Sequence, residues 1–151
     1  MSDQFWAQQP PPDVEGIIWS WELLSTGQLP AVRAELRALL ALRGLDPVQD
    51  ADVQETFLLA FDELASNGIR HGGRPVSARV VAGPGGLLID VCDAAVASPP
   101  APAVDRDPSR GGLGLGLVAA LTSAHGWARR AGRKHVWALC TPGIAPVTPA
   151  G

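Results

Sequence analysis

The chain has 151 residues, 46% of them hydrophobic and 18% charged, which suits one compact domain with a full core and no need of metal or disulfide staples. Its net charge of −3 and pI near 5.5 argue against a nucleic-acid binder that gains affinity by neutralising phosphates. The longest apolar run, Gly112 to Ala124, is too short and too rich in glycine to span a bilayer, no secretory signal precedes the first structured segment, and Cys92 and Cys140 lie far apart, so a soluble cytoplasmic protein is expected.

Residues 1 to 15 carry Pro10-Pro11-Pro12 and little apolar periodicity, and read as a flexible N-terminal arm before a domain at 16 to 140. Alternation of Trp19, Trp21 and Leu23 with Ser20 and Glu22 predicts a strand over Gly16 to Leu24. Pro30 then suits a first helical turn, and Val32, Leu36, Leu39 and Leu40 keep helical spacing until Gly44. Asp46-Pro47-Val48-Gln49 reads as the capped start of a second helix, which ends at Gly72-Gly73 with Pro75 barring continuation.

That second helix has an apolar stripe of Val53, Phe57, Phe61 and Leu64, and beside it Glu63 and Asn67, four residues apart and so stacked one turn from each other. A carboxylate above a carboxamide can steer an attacking oxygen and hold a hydrated magnesium ion, although an ordinary solvated helix face also displays such a pair. Val76 to Ala82 and Leu87 to Cys92 follow as strands, joined by Gly83-Pro84-Gly85-Gly86 into an antiparallel hairpin. From Ala94 to Arg110 four prolines interrupt any period, which predicts a long loop or lid. A third helix is expected from Gly111 to His125, then Ala128 to Arg130 and His135 to Cys140 as a second hairpin, and a frayed tail over 141 to 151.

Glycines 111, 112, 114 and 116 before an apolar helix allow backbone amides to approach an anion, with the helix N-terminus adding positive charge. The usual P-loop needs a lysine directly after the turn, and the only lysine is Lys134. A dinucleotide fingerprint needs a strand upstream and a carboxylate about twenty residues on, and no acidic residue follows Asp107. A glycine turn without a ligand stays open as the plain reading. The five basic residues after Asp107 give the C-terminal third a local positive field suited to an anionic ligand or acidic partner, or simply a solvated surface.

In their order, Glu63-Leu-Ala-Ser-Asn-Gly-Ile-Arg-His-Gly72, Asp90-Val-Cys-Asp93, the long loop and Gly112-Leu-Gly-Leu-Gly-Leu-Val118 resemble the GHKL ATPases, and more closely the small actinobacterial-type anti-sigma-factor serine/threonine kinases. The resemblance covers about residues 16 to 140 and implies an α/β two-layer sandwich of the Bergerat type, its mixed, mostly antiparallel sheet carrying helices on one face. It implies ATP and Mg2+ as ligands, with Asn67 on the magnesium, Glu63 as general base, Asp93 accepting the adenine amino hydrogen, and Gly112, Leu113, Gly114, Leu115 and Gly116 around the phosphates. It further implies an anti-anti-sigma (STAS-type) protein as phosphoryl acceptor and a sigma factor as the protein sequestered, without direct contact to nucleic acid or membrane and with homodimerisation open.

Two departures stand out. The adenine strand continues as Asp93-Ala-Ala-Val-Ala97 without the family's usual glycines, and His135 stands where a threonine is often found. Both losses keep a second reading alive, a catalytically silent binding module on the same fold. A third is an isolated ATPase or histidine-kinase catalytic half, though the chain has no phospho-acceptor helix. His71 reads as a helix-end residue, His125 and His135 have no metal-ligand partners nearby in sequence, and Trp19, Trp21 and Trp137 read as core.

Overall fold

A computed structural model describes residues 6–42, 51–100 and 114–141, with only the backbone course at 42 and 51–53. Asp46 as a cap, Val53 in the stripe, and residues 101 to 113 of the loop and glycine turn lie outside the described residues. Strand β1 (Ile17–Leu23) leads through a short 3-10 turn into helix α1 (Leu29–Leu42), followed by α2 (Ala51–His71), β2 (Val76–Gly83), β3 (Gly86–Asp93), α3 (Gly114–Leu121), β4 (Ala124–Arg130) and β5 (Arg133–Cys140). Among the described residues the strands form one five-stranded sheet in the order β1-β2-β3-β5-β4, every neighbouring pair antiparallel.

The helices lie on one face of that sheet, which gives the two-layer α/β sandwich expected from the sequence. Period-two alternation decides which side chains meet them. Val76, Ala78, Val80 and Ala82 of β2, Leu87, Ile89 and Val91 of β3, and Val136, Ala138 and Cys140 of β5 share the core with Leu36 and Leu40 of α1 and Phe57, Phe61 and Leu64 of α2. The α2 stripe is broadened by Leu58, Ala60 and Ala65, all buried. At Gly68 an added Cβ would stand 2.7 Å from Val91 Cγ1, so α2 can lie directly on the sheet only because this position has no side chain. Trp21 packs edge-on against Phe61 at 5.7 Å between ring centroids and donates its indole N–H to Glu35.

Residues 6 to 9 depart from the loose arm read over 1 to 15. Trp6 is 1% exposed and joins the core, and Gln8 makes a parallel bridge to Trp127. The Gln9 amide donates to Trp127 O and the Trp127 amide to Ala7 O, while the Trp137 indole donates to Gln9 O. The outer edge of β4 would otherwise present unpaired backbone groups, and one large apolar side chain anchors a short polar segment over it.

The third helix is shorter than Gly111 to His125. It ends at Leu121, where Thr122 Oγ1 bonds back to Val118 O at 2.7 Å, and the Ser123 amide already donates to Leu139 O. The strand therefore starts at Ala124 rather than Ala128, captured by the free edge of β5.

Candidate functional site

Helix α2 is the ruler along which the sequence-derived site residues are set. Glu63 lies midway, Asn67 one turn further, and Gly72 closes the C-terminal end, so nine residues separate the first from the last, or about 14 Å at 1.5 Å per residue. This separation is of the order of an extended nucleoside triphosphate.

At the Glu63 level the carboxylate lies against the start of α3. A Cβ built on Gly114 would stand 2.4 Å from Glu63 Oε1, so the two elements touch only because position 114 is glycine. Glu63 is half-buried, and its carboxyl is pushed above the ordinary range by burial and by neighbouring Asp62, with Arg70 pulling partly the other way. A carboxylate moved up in this direction holds a proton more readily, as a general base requires. Asn67 is half-buried on the same helix, and Leu115 is buried under α3 while Gly116 is exposed with open space beside it. Gly112 and Leu113 lie outside the described residues.

At the other end of α2, Asp93 is buried and fixed. A Cβ on Gly72 would stand 2.6 Å from Asp93 Oδ2, and Asp93 Oδ1 accepts the Ala95 amide at 2.7 Å and the Gly73 amide at 3.3 Å. The sequence reading missed its closest charged neighbour. Lys134 is 5% exposed, and its ammonium is 3.6 Å from Asp93 Oδ2 and donates to Ser98 O at 2.7 Å. His135, which stands where the family often has a threonine, points to the other face of the sheet. The register explains this: Asp93 pairs with Lys134, and Cys92 with His135. The signal was available in β5, where Lys134 keeps step with buried Val136 and Ala138.

The first residues of the expected lid are tied to this end of the site. The Ala94 amide donates to Gly73 O, Arg129 donates to Val96 O, and Lys134 holds Ser98 O. Arg129 also lies over the Trp127 ring, 4.8 Å from its centroid. Two of the five late basic residues thus converge where a loop leaves the sheet. No group of three or more His, Cys, Asp or Glu able to hold a metal occurs among the described residues. Asn67 offers one hard carboxamide oxygen, which suits a magnesium ion that keeps most of its water and phosphate ligands rather than an all-protein cage. No helix among the described residues is long and apolar enough to cross a membrane.

Comparison with family models matches residues 24–139 to the histidine kinase-like ATPase domain. Comparison with curated proteins gives no match. The matched span begins just after β1, runs to the penultimate residue of β5 and takes in every described site residue. The chain therefore belongs to the histidine kinase-like ATPase family, the GHKL type, whose domains bind ATP.

Proposed function

We propose that this histidine kinase-like ATPase domain is a cytoplasmic, magnesium-dependent serine kinase of the anti-sigma type, which phosphorylates a STAS-type anti-anti-sigma protein and sequesters a sigma factor. The observation that supports it most is the contact between Glu63 and the Gly114 position, which sets a proton-seeking carboxylate at the start of α3, one helical turn from Asn67. In this reading Glu63 takes the proton of an incoming serine hydroxyl and aligns the oxygen for in-line attack on the terminal phosphoryl group. Asn67 offers its carboxamide oxygen to magnesium, whose chemistry when bound is to neutralise charge on the phosphates. Asp93, held by two backbone amides, accepts the base amino hydrogen at the far end of α2, and the amides at Gly114 to Gly116 face the phosphates.

Incubation with radiolabelled ATP and partners recovered by affinity capture, with and without nucleotide, tests this reading. Wild type should transfer label to a serine of the captured partner, and Glu63→Ala should retain ATP while losing transfer by at least about 100-fold. Transfer undiminished in Glu63→Ala removes Glu63 from the chemistry.

The Lys134 ammonium against Asp93 favours a second reading, because it occupies part of the carboxylate that would meet the base. Here the fold captures a regulator by surface contacts and performs no phosphoryl transfer. Unchanged partner affinity in a Glu63→Ala/Asn67→Ala double variant, with or without ATP, would distinguish it from the first.

A further inference from the structure

The face of the sheet turned away from the helices carries a second polar constellation that the nucleotide site does not use. Asp90 and Cys92 of β3 and Arg133 and His135 of β5 alternate with the residues that face the helices, and their side chains meet on the other side. Asp90 is 3% exposed and lies 3.1 Å from His135 Nδ1 through each carboxylate oxygen. The opposite ring nitrogen, Nε2, is 3.8 Å from Cys92 Sγ, and Arg133 Nε donates to the same sulfur at 3.0 Å. Arg79 of β2 closes the chain by pairing with Asp90 at 3.2 Å. The remaining cross-strand neighbours on this face are buried Trp137 beside Asp90 on β5, Ser77 beside Cys92 on β2, Ala128 beside His135 on β4, and Arg130 opposite Arg133.

The order carboxylate, imidazole, thiol is that of an activated nucleophile: the acid fixes the ring and favours its protonated form, and the ring faces the sulfur. The charges point the same way. Arg79, Arg133 and a protonated His135 set three cations against the one carboxylate of Asp90, so a negative sulfur brings the cluster closer to balance. Burial by itself would push the Cys92 thiol up, but hydrogen bonds from His135 and Arg133 outweigh it and hold the thiol below its ordinary range. The hydrogen bond to Asp90, with that to Cys92, pushes His135 up to about 9 against the opposing effect of burial.

We propose that Cys92 is a peroxide-reactive thiolate, a two-electron oxidation site on the face of the sheet opposite the nucleotide site, built by the Asp90–His135–Cys92 chain and Arg133. The thiolate attacks one oxygen of hydrogen peroxide, the S–O bond forms and the O–O bond breaks. Sulfur gives up two electrons and becomes a sulfenic acid. The departing hydroxide takes the Nε2 proton of the His135 imidazolium and leaves as water, and the neutral ring keeps its Nδ1–H on Asp90. Cys140 does not resolve the product within the chain. It lies five residues from the Cys92 register position, about 16 Å along β5, and on the helix side of the sheet. Its thiol, pushed up to about 12 by burial, makes it an internal control. A sulfenic acid at Cys92 is then open to an external low-molecular-weight thiol.

Cys92 reactivity is measured on the full chain as the pH dependence of alkylation by iodoacetamide, followed by peptide mass spectrometry, and in parallel by dimedone trapping after hydrogen peroxide. In native wild type, Cys92 should alkylate at pH 6.5 at least about tenfold faster than the same protein unfolded in guanidinium, with Cys140 protected, and peroxide should yield a dimedone adduct at Cys92. His135→Gln should move the pH profile of Cys92 upward and cut its rate at pH 6.5 by about tenfold. A native wild-type profile that rises through the ordinary thiol range, as in the unfolded protein, would overturn the proposal without recourse to any variant. Absence of a Cys92 sulfenic adduct alongside rapid alkylation would likewise overturn the peroxide assignment. Neither result depends on whether the other face binds ATP.

Discussion

Cys92 and Asp93 are neighbours in sequence, yet they belong to different chemistries because a strand turns successive side chains to opposite faces. Toward the helices, Asp93 is buried under Gly72 and Lys134 amid a core shared with α1 and α2, whereas Cys92 lies in a partly open polar row beside a small apolar cluster of Val81, Leu88 and Trp137. The contrast teaches where substitution is costly. One face carries the main core and the candidate site together, and on the other the charged row around Cys92 can be altered while that core stays in place.

The largest expected effect lies on the helix side. Phe61→Ala removes a fully buried ring between α2 and the sheet and should lower stability by about 3–5 kcal/mol, read from denaturant midpoints at unchanged slope. Next comes Gly114→Ala. The added methyl must push the flexible Glu63 carboxylate aside, so phosphoryl transfer or ATP hydrolysis should fall by about 100-fold while the melting temperature hardly changes. Equal losses of activity and stability would show that position 114 serves packing rather than the placement of Glu63.

On the open face the effects should be smaller and tied to pH. His135 is raised in the folded protein, so its contribution to stability is complete below its unfolded value near 6.5 and is lost as the pH climbs toward about 9. Comparing Cys92→Ser with Cys92→Ser/His135→Gln removes the thiol's own titration. With the Cys92 contribution gone, the bond to Asp90 still raises His135. The stability difference between the two variants should therefore be full at pH 6 and fade as the pH rises above the unfolded value, and a difference growing with pH would reverse the assignment. Smallest of all, Arg79→Ala should cost under about 1 kcal/mol at moderate salt, since its side chain is 44% exposed.

Much of the helix side was legible in the sequence. Period-two and period-3.6 apolar patterns mark β1, α1, α2 and the β2–β3 hairpin, and the spacing of Glu63 and Asn67 puts them on one side of α2. The misses share a cause, since each depends on which strand edge is free. Residues 6 to 9 lack any period of their own and are ordered by backbone groups of β4 and by a single Trp6. Ala124 to Trp127 reads as the end of an apolar helix until the edge of β5 is there to pair with it. Lys134 facing Asp93 was missed because strand parity decides it: one residue further, His135 lies on the opposite face with Cys92.

The central claim is that Glu63, Asn67 and Asp93 mark a single nucleotide channel measured out along α2. Isothermal titration of ATP into wild type and Asn67→Ala, with magnesium and with chelator, tests it most directly. Magnesium-dependent binding to wild type that disappears in Asn67→Ala, with the melting temperature preserved, is the predicted result. Failure of wild type to bind ATP, or equal binding by Asn67→Ala in magnesium, would contradict it.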